Sequence, residues 1–562
     1  MIIAIEAGAP LRAAPLPAIP LRHRVYGFGS IYGKTIRDSR LAFIIAAGLL
    51  GGMALVMGVA VSSVFPTPEA RKAVNDLVGS IPASMVDLFG KVPPAKLGTL
   101  GGYMTFKYGA IFALGTALWS ILALSGTLAG EASRGSLDFV AAAPFGKRRI
   151  ALEKLAAHLT MLGLAMAILA AFTTISSTLF GDAALGDQVP LLSSVGFALW
   201  AGFLAVFFGG LALALAPVLG RAGSTGVAGL AMVVLWVMNG LNLGGPLAVL
   251  SPFRWTADHI ALIGQYDWAP LALVGVAGAV FLAIGVELFG RRDLGVTAGL
   301  SLPGVPAAVL GVRGPVGRAF GDQLPRALSW GIGLGLMGAL VASLVGTMSA
   351  LGNDPTLVKT FAGIFPGFDL KSAGGWLQLY AQLLFIAAGF GAATFVSKWA
   401  SDETDGRLEM VLTTPTARAA WAIAGGVAAI LAIAVMTVLF ALGIGLGAAS
   451  GGVAAGEPMV GSIALGLYAA AIAGVGVAVG GLWRTSLAAE ITALVVVATY
   501  LIDLVAPPLK LPDWVHQLAL TAHFGQPMLG IWDPVGIVAC LVIAVGGIAL
   551  GAWGIARRDI GR

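Results

Sequence analysis

The chain has 562 residues, of which 58% are hydrophobic and only 11% are charged, and its formal net charge is +6. This composition excludes a soluble globular protein and predicts a polytopic membrane protein. The single cysteine, Cys540, excludes an intrachain disulfide and a cysteine-cluster metal site, and the basic residues are too scattered to favour nucleic-acid binding.

The N-terminal segment is polar enough to stay outside the membrane. Residues 1–30 are rich in proline and alanine and carry Arg22 and Arg24. They lack the apolar core and small-residue cleavage site of a signal peptide. The basic amphipathic stretch IYGKTIRDSRLAF follows. We therefore expect residues 1–40 to form a cytoplasmic tail and an amphipathic helix that leads into the membrane.

Twelve apolar segments are long enough to cross a membrane as helices. About 20 apolar residues cover about 30 Å of hydrocarbon, and a helix is required there because it satisfies every backbone group internally. The pattern therefore predicts an all-α membrane protein. The predicted spans are residues 41–63, 103–129, 150–179, 191–219, 224–244, 268–289, 328–350, 376–398, 420–449, 459–483, 487–506 and 533–555.

The positions of the basic residues predict that both termini lie in the cytosol, because Lys and Arg are retained on the cytoplasmic side of a membrane. With the N-terminus inside, the cytosolic turns carry Arg37, Arg40, Lys147, Arg148, Arg149, Arg221, Arg291, Arg292, Arg318, Arg418, Arg484, Arg557 and Arg558. The opposite loops carry fewer basic residues: Arg71, Lys72, Lys91, Lys96, Arg254, Lys359, Lys371 and Lys510.

Several short motifs recur in the same order in the two halves of the chain. RRDLG at residues 291–295 follows the sixth span, and RRDIG at 557–561 follows the twelfth. GSIP ending at Pro82 and GIFP ending at Pro366 lie in the first outside loop of each half. A common order indicates duplication, so we predict two parallel six-helix repeats related by an axis along the membrane normal. The predicted halves are residues 41–295 and 328–562, joined by a linker and a second amphipathic helix at 296–327.

A polar segment separates the second and third spans of each half. The first is GEASRGSLDFVAAAPFGKRR, and the second is SDETDGRLEMVLTTPTAR. In each, a glycine permits a turn, apolar residues follow at i, i+3 and i+4, and a proline ends the pattern. We predict a short helix in each, which needs a partner surface because so short a helix is marginal in water. The residues of this pattern are Glu131, Gly135, Leu137, Asp138 and Pro144, then Asp402, Glu403, Gly406, Leu408, Glu409 and Pro415.

These segments resemble the cytoplasmic loop of ABC-2-type exporter permeases, where an acid, a glycine, a leucine-acid pair and a proline mark the segment that docks on an ATPase subunit. The six-span halves, the amphipathic stretch before the first span and the motifs at Pro82 and Pro366 extend the similarity over nearly the whole chain. The chain is similar to the fused, two-half permeases of actinobacterial antibiotic exporters, typified by tetronasin-resistance and mycobacterial drug-efflux systems. Asp402 stands where that family favours Glu, so we expect the two docking sites to be unequal.

The resemblance implies an ABC-2 (type V exporter-like) fold and an ATP-driven exporter of hydrophobic or amphipathic compounds, such as antibiotics, in the bacterial plasma membrane. Two copies of an ABC ATPase would bind one under each polar segment and would carry the ATP and Mg²⁺. The chain has no G-x-x-x-x-G-K-[ST] loop, so we expect no enzymatic activity and no cofactor in this subunit. The resemblance places the path between the halves, along their second and fifth spans. The residues expected to line it are Trp119, Trp236, Asn239, Asn242, Tyr380, Phe385, Tyr500 and Asp503.

A second class of function stays open, namely a polytopic enzyme or a proton-coupled secondary transporter that uses Glu490 or Asp503. A charge at the centre of a span costs about 2.5 to 3.5 kcal/mol. Both residues lie near span ends, which favours an interfacial position near Arg484 for Glu490 and solvation at the outer rim for Asp503. A cationic-substrate or gating role is the alternative for Asp503. No metal site is expected, because the histidines have no carboxylate or cysteine at ligand spacing.

Two further features are small-residue pairs within the spans and helical pieces within the first outside loop. The small-residue pairs Gly48/Gly52, Gly331/Gly335, Gly443/Gly447 and Gly476/Gly480 predict close helix packing in general, although any single pair in so glycine-rich a chain is weak evidence. The first outside loop, residues 64–100, contains proline-bounded helical pieces. It is interpreted as a re-entrant or surface helix that caps the exit, or as a plain lid.

Overall fold

The chain folds into long helices, and a computed structural model describes residues 29–79, 91–131, 146–240, 249–291, 314–348, 358, 372–505 and 512–559. Long helices run over Ile31–Val64, Gly109–Ser125, Lys147–Phe180, Leu191–Gly240, Trp268–Arg291, Pro315–Met348, Ala381–Thr404, Arg418–Gly451, Gly456–Leu482, Thr485–Val505 and Pro534–Arg557. Shorter helices are Pro68–Gly79, Pro94–Leu97, Leu100–Tyr103, Pro252–Trp255, Ala373–Leu379, Arg407–Leu412 and Asp513–His516. Two π turns, Met104–Tyr108 and Gly126–Gly130, flank the helix at Gly109–Ser125.

The remaining elements are small and lie in loops. Single 3₁₀ turns occur at Ala183–Leu185, Ala261–Ile263, Leu520–His523 and Pro527–Leu529. Strands β1 (Gly525–Gln526) and β2 (Ile531–Trp532) form a two-residue antiparallel pair, with Gly525 opposite Trp532.

Within the described residues, twelve helices are long and apolar enough to cross a membrane, which confirms the all-α polytopic fold. They are numbered here as spans 1 to 12. Their ranges are Ile31–Ser63, Leu100–Leu128, Lys147–Phe180, Leu191–Arg221, Gly223–Gly240, Trp268–Arg291, Pro315–Ser343, Leu383–Thr404, Arg418–Gly451, Gly456–Leu482, Thr485–Asp503 and Pro534–Arg557. Each coincides with one of the twelve segments predicted from hydropathy.

The amphipathic helices and the spans that follow them are continuous. The first begins at Ile31, where the Ser30 hydroxyl accepts a hydrogen bond from the Gly33 amide at 3.0 Å, and it runs unbroken to Val64. The seventh span likewise begins at Pro315, so the second amphipathic helix and the span are one element. The boundaries predicted at residues 41 and 328 therefore fall inside helices, because the helix pattern continues through the change from polar to apolar residues.

Spans 4 and 5 form one helical stretch with a sharp kink at Gly220, where φ is 68° and ψ is −177°. This backbone conformation favours glycine, and Pro217 further weakens the helix one turn earlier. The kink turns span 5 back beside span 2, where the Thr225 hydroxyl donates to the Ser125 hydroxyl at 2.8 Å.

The two halves pair their spans in the same way. Span 1 contacts span 3, span 2 contacts spans 4 and 5, and span 4 contacts span 6. In the second half span 7 contacts span 9, span 8 contacts spans 10 and 11, and span 10 contacts span 12. Near its outer end span 2 has the π turn at Met104–Tyr108, and span 8 has a break at Tyr380. The relation of the halves by an axis along the membrane normal stays a prediction.

Glycines allow backbones to approach closely in the second half. Gly335 and Gly443 meet backbone to backbone, as do Gly474 and Gly547, because a Cβ on Gly443 or Gly547 would overlap the facing chain. The predicted pair Gly48/Gly52 instead faces open space. Dense packing is therefore present, but that pair does not contribute to it.

Candidate functional site

The second polar segment forms a short helix, called here the loop helix, at Arg407–Leu412. Gly406 precedes it with φ of 72°, the left-handed conformation for which the sequence predicted a glycine. Leu408 is 1% exposed and holds the helix against span 8, whereas Glu409 and Met410 face outward, with Met410 65% exposed. The predicted short helix is therefore present in this half, and Glu409 and Met410 on its outer face are exposed.

Two acids before the loop helix bind the spans. Arg558, just after span 12, donates hydrogen bonds from both Nη atoms to the carboxylate of Glu403, and the Nη1–Oε1 distance is 2.9 Å. The Thr485 hydroxyl, at the start of span 11, donates to Glu403 Oε2 at 2.9 Å. The Glu403 side chain is only 9% exposed. A bidentate pair of this kind fixes geometry as well as supplying energy, so Glu403 joins the polar segment to the ends of spans 11 and 12.

Asp402 also points inward. Its carboxylate accepts a hydrogen bond from Trp421 Nε1 at 3.4 Å and lies 3.7 Å from Arg407 Nε. Arg407 in turn donates to the Ser401 hydroxyl and to Asp405, each at 3.0 Å. Of the acids predicted in this segment, Glu409 is the one on the outer face, and Pro415 is exposed just beyond the loop helix.

In the first half, Glu131 is the only predicted residue of the polar segment that lies within the described residues. Lys154 of span 3 donates to Glu131 Oε1 at 2.5 Å, and the Lys154 side chain is 2% exposed. The predicted positions Gly135, Leu137, Asp138 and Pro144 lie outside the described residues. Glu131 therefore ties the end of span 2 to span 3, in the manner of a structural ion pair.

Span 3 also fixes the start of the first amphipathic helix. Glu153 Oε2 accepts hydrogen bonds from the backbone amides of Ile31 at 3.1 Å and Tyr32 at 3.2 Å. A carboxylate at a helix N-terminus satisfies unpaired amides and interacts favourably with the helix dipole. The Tyr32 hydroxyl donates to Thr160 at 3.0 Å, and Arg149 pairs with Glu153 at 2.9 Å. The first amphipathic helix is thus anchored to span 3 by three side chains.

The residues expected to line the path fall into separate packed clusters. Phe385 of span 8 packs against Tyr468 and Phe524, with ring centroids 5.3 and 5.5 Å apart. Tyr500 of span 11 instead joins the cluster formed by spans 1 to 4 and contacts the region of Tyr108.

The other expected residues add to these clusters or form another. Trp119, beside His158, packs against the cluster of Tyr500, and Tyr380 packs against the cluster of Phe385. Trp236 packs in a third cluster, and Asn239 is half-buried. Asn242 lies outside the described residues. The structure therefore joins the halves through spans 2, 8 and 11, and the seven of these residues that it describes fall into more than one packed cluster.

The interpretation of Asp503 as a solvated rim residue is wrong. Asp503 is 6% exposed, and its carboxylate accepts a hydrogen bond from the Thr521 hydroxyl. His516 Nε2 lies 3.5 Å from the other carboxylate oxygen, and His516 itself is 45% exposed. The loop after span 11 folds over Asp503 and buries it, a tertiary effect that span length cannot reveal. Glu490, by contrast, is exposed.

Lys107 is a residue that the sequence analysis missed. It lies in the π turn of span 2, donates to the Tyr103 hydroxyl at 3.1 Å, and is 5.4 Å from the centroid of the Tyr108 ring. It remains exposed and interacts electrostatically with Tyr500 of the second half. π turns are frequent at functional sites, and a lysine inside an apolar span marks a functional position by default. That rule could have identified Lys107 from the sequence.

The first outside loop is clamped in place where the structure describes it. Arg71 on the helix Pro68–Gly79 pairs with Asp187 through two contacts, of 2.5 and 2.7 Å. Asp187 Oδ1 also accepts from the Leu100 amide at 2.8 Å, at the start of span 2. Residues 68–79 form a helix, as the proline-bounded pattern predicted, and its role at the exit stays a prediction. Pro82, and Pro366 in the second half, lie outside the described residues.

Two of the histidines are buried structural residues. His158 Nε2 lies 2.9 Å from the Ser120 hydroxyl between spans 2 and 3. His259, in the loop before span 6, accepts from the Asp267 amide at 3.0 Å, and burial lowers the pKa of its imidazole. Both therefore stabilise helix packing.

Comparison with protein families gives one match, and it covers the second half of the chain. Residues 312–555 match the family described as "Multidrug efflux system permease Rv1217c, C-terminal domain". The match begins at the second amphipathic helix and ends within span 12, so it contains the loop helix and the Glu403 carboxylate. No curated protein matches the chain. The family match confirms the resemblance to actinobacterial drug-efflux permeases.

Proposed function

From the similarity of residues 312–555 to a multidrug efflux permease, we propose that this multi-pass membrane chain is the permease subunit of an ATP-driven exporter of the ABC-2 type. It moves hydrophobic or amphipathic compounds out of a bacterial cell across the plasma membrane, with both termini in the cytosol. Two copies of a separate ABC ATPase, which bind ATP and Mg²⁺, supply the energy.

The observation that supports this proposal most is the mechanical link between the loop helix and the spans. Leu408 seats the loop helix on span 8, and Glu403 connects the same segment to Arg558 and Thr485. A force applied to the exposed face at Glu409 and Met410 therefore reaches spans 8, 11 and 12 together. A six-residue helix is not stable by itself, so its rigidity comes from these contacts.

The proposed path follows the contact between the halves. Tyr500 of span 11 lies against span 2 next to Tyr108 and Lys107, and Phe385 of span 8 is sealed by Tyr468 and Phe524. In this arrangement Tyr500 fills the contact between the halves and Phe385 is packed within the second half, as in a closed state. Opening would separate spans 8 and 11 from span 2, which is the movement that force on the loop helix produces.

The test is co-purification of the chain with the ATPase encoded nearest to it. Glu409→Lys and Asp138→Lys reverse charge on the proposed docking surfaces and are expected to release the ATPase and abolish substrate-stimulated ATP hydrolysis, with membrane insertion intact. Glu69→Lys is the matched control, since Glu69 is exposed on the outside loop. Retention of the ATPase by the double variant would contradict the docking assignment.

One observation favours the alternative of a proton-coupled carrier. Asp503 is buried and lies 3.5 Å from the exposed His516, so a proton could reach the carboxylate from outside. Export that persists without any ATPase but stops when a protonophore collapses the proton gradient would support that alternative. Export that requires the ATPase and survives the protonophore would exclude it.

A further inference from the structure

A cavity of about 280 Å³ lies beside the loop helix, on the side predicted to face the cytosol. Its walls are the start of span 7, the end of span 8, the start of span 9, and Val411 of the loop helix with the residues that follow it. Small-molecule pockets measure about 300 to 1,000 Å³, so the cavity is just below this range and suits a ligand smaller than a typical drug.

Two positions at this cavity carry small residues where the first half has large ones. The spacing from Gly135 to Pro144 equals that from Gly406 to Pro415, and in this register Ala424 and Gly425 correspond to Glu153 and Lys154. In the first half those two side chains hold the amphipathic helix and Glu131. In the second half a Cβ on Gly425 would overlap the Trp399 ring.

In the second amphipathic helix, a large side chain of the first amphipathic helix is likewise replaced by a smaller one. The stretch YGKTIRD at residues 32–38 corresponds to VGRAFGD at 316–322. Val316 therefore stands in place of Tyr32, whose hydroxyl bonds Thr160 of span 3 in the first half. Three side chains that fill and tie the first site are thus absent from the second, and the second amphipathic helix leaves space against span 9.

Two polar atoms at this cavity have no hydrogen-bond partner among the described residues. They are Oε1 of Gln323 and Nε1 of Trp399, on side chains that are 2% and 4% exposed. An unsatisfied buried polar atom costs about 1 to 3 kcal/mol. One atom accepts and the other donates, and both residues line the cavity. A ligand that carries both a donor and an acceptor, such as a hydroxyl or an amide, matches the chemistry that these two side chains lack.

The charges around the cavity balance. Arg318 and Lys398 are basic, Asp322 and Asp402 are acidic, and Lys398 Nζ lies 3.8 Å from Asp322. An ionic ligand would meet charge of its own sign as well as the opposite sign, so the surroundings favour an uncharged one. The rest of the wall is apolar, with the rings of Trp399 and Trp421 stacked at 5.1 Å.

We propose that this cavity binds an uncharged amphipathic molecule whose hydroxyl or amide group bonds Gln323 and Trp399 and whose apolar body lies against Trp421. Two sources share this chemistry: a compound on its way to export, and an acylglycerol from the inner leaflet. Because Val411 forms part of the wall, occupancy also braces the loop helix against span 7. That consequence for ATP hydrolysis rests on the proposed function, whereas the binding itself does not.

The experiment uses the full-length chain without an ATPase, in phosphatidylcholine nanodiscs, with a photoreactive diazirine-bearing octanol as the probe. Labelled residues are mapped by mass spectrometry and are expected on the peptides that contain Trp399 and Val411 to Trp421. Octanol should compete for this labelling, whereas octylamine and octanoate at the same concentration should not. Equal competition by the charged analogues would overturn the proposal.

Two variants and a control test the cavity itself. Ala424→Leu fills the space and should reduce labelling about tenfold, whereas Ala420→Leu, on an exposed position one turn earlier in the same helix, should leave it unchanged. Gln323→Met keeps the volume but removes the hydrogen bond, and should lower the apparent affinity about tenfold. Labelling that is equal in Ala424→Leu and Ala420→Leu, or unaltered by Gln323→Met, would contradict the assignment.

The source of the ligand is distinguished by displacement of the probe. Displacement by monooleoylglycerol identifies a lipid, and displacement by a compound that the cells export identifies cargo; displacement by neither contradicts the proposal. Since no ATPase is present, a failure here is separate from a failure of co-purification. In the complex with the ATPase, octanol should alter ATP hydrolysis by the natural chain but not by Ala424→Leu.

Discussion

In the first half, span 3 binds two neighbouring elements: its Lys154 pairs with Glu131 after span 2, and its Glu153 accepts hydrogen bonds from the start of the first amphipathic helix. In the second half, Glu403 binds Arg558 and Thr485 at the ends of spans 12 and 11, and span 9 carries Ala424 and Gly425 at the positions of Glu153 and Lys154. Corresponding elements of the two halves are therefore held by different interactions. The first polar segment is tied locally, and the second is tied to two later spans beside a cavity.

This difference teaches that two segments of common pattern need not transmit force equally. In the first half the amphipathic helix, span 3 and the end of span 2 are linked by charged groups and move together. In the second half the loop helix is linked to spans 8, 11 and 12, and its contact with the second amphipathic helix is incomplete. We therefore expect the second polar segment to shift relative to its amphipathic helix more readily than the first polar segment does.

The largest effect is expected from breaking the long-range link in the second half. Arg558→Met leaves the buried Glu403 carboxylate without its cation, which should lower the free energy of unfolding by about 3 to 5 kcal/mol. Thermal unfolding in nanodiscs measures this. Glu403→Gln combined with Arg558→Met removes both charges and should recover part of the loss. A single variant as stable as the natural chain would show that the link is not structural.

The corresponding local link in the first half should matter less. Glu131→Gln leaves Lys154 without this carboxylate, but Glu131 is 20% exposed and water replaces part of the interaction. We expect a loss of about 2 kcal/mol in the free energy of unfolding. The same thermal measurement tests it, and a loss larger than that of Arg558→Met would reverse the ranking of the two halves.

Replacement of Lys107 is expected to reduce export without reducing stability. In the register set by the polar segments Lys107 corresponds to Gln378, whose side chain accepts a hydrogen bond from the Met528 amide at 3.2 Å. Lys107→Gln gives span 2 the residue found in the short helix Ala373–Leu379 before span 8. It removes a charge that is costly in a span and should leave stability equal or higher. Export should fall about tenfold, as measured by compound efflux from cells. Unchanged efflux would show that Lys107 lies at the membrane interface without a role in export.

The smallest effect is expected from the helix cap in the first half. Glu153→Gln retains the acceptor oxygen but removes the charge beside the amides of Ile31 and Tyr32 and the partner of Arg149. The expected loss is about 0.5 to 1 kcal/mol in the free energy of unfolding. Ala424→Gln at the matching position of the second half should show no such loss. Equal losses at both positions would indicate a general packing defect.

The sequence predicted much of the fold and part of the candidate site. All twelve spans were found, because apolar length is a local property and each span must satisfy its own backbone hydrogen bonds. Gly406 and Leu408 were assigned correctly, because a turn glycine and helical spacing are also local. The partners of Glu403 and Asp402 were not predicted, since Arg558 and Trp421 are distant in sequence and come close only through helix packing.

Asp503 and Lys107 are two charged residues whose surroundings the sequence did not reveal. Asp503 near a span end was expected in solvent, yet the loop containing Thr521 and His516 covers it. Lys107 was read as part of an apolar segment, yet its π turn presents it beside Tyr500 of the other half. In both cases the exposure of a charged group depended on a chain segment hundreds of residues away or on a loop that follows the span.

The sequence by itself determined that this protein crosses a membrane repeatedly, where each crossing lies, and where a glycine-led helix interrupts the pattern between spans 8 and 9. These features follow from hydrophobic length and backbone conformation, which neighbouring residues decide. Only the tertiary structure decided which carboxylates face outward, which ones bind spans, and that a cavity lies beside Ala424 and Gly425, which stand in place of Glu153 and Lys154. The physical reason is that the cost of a buried charge and the volume of a cavity depend on atoms brought together from separate helices.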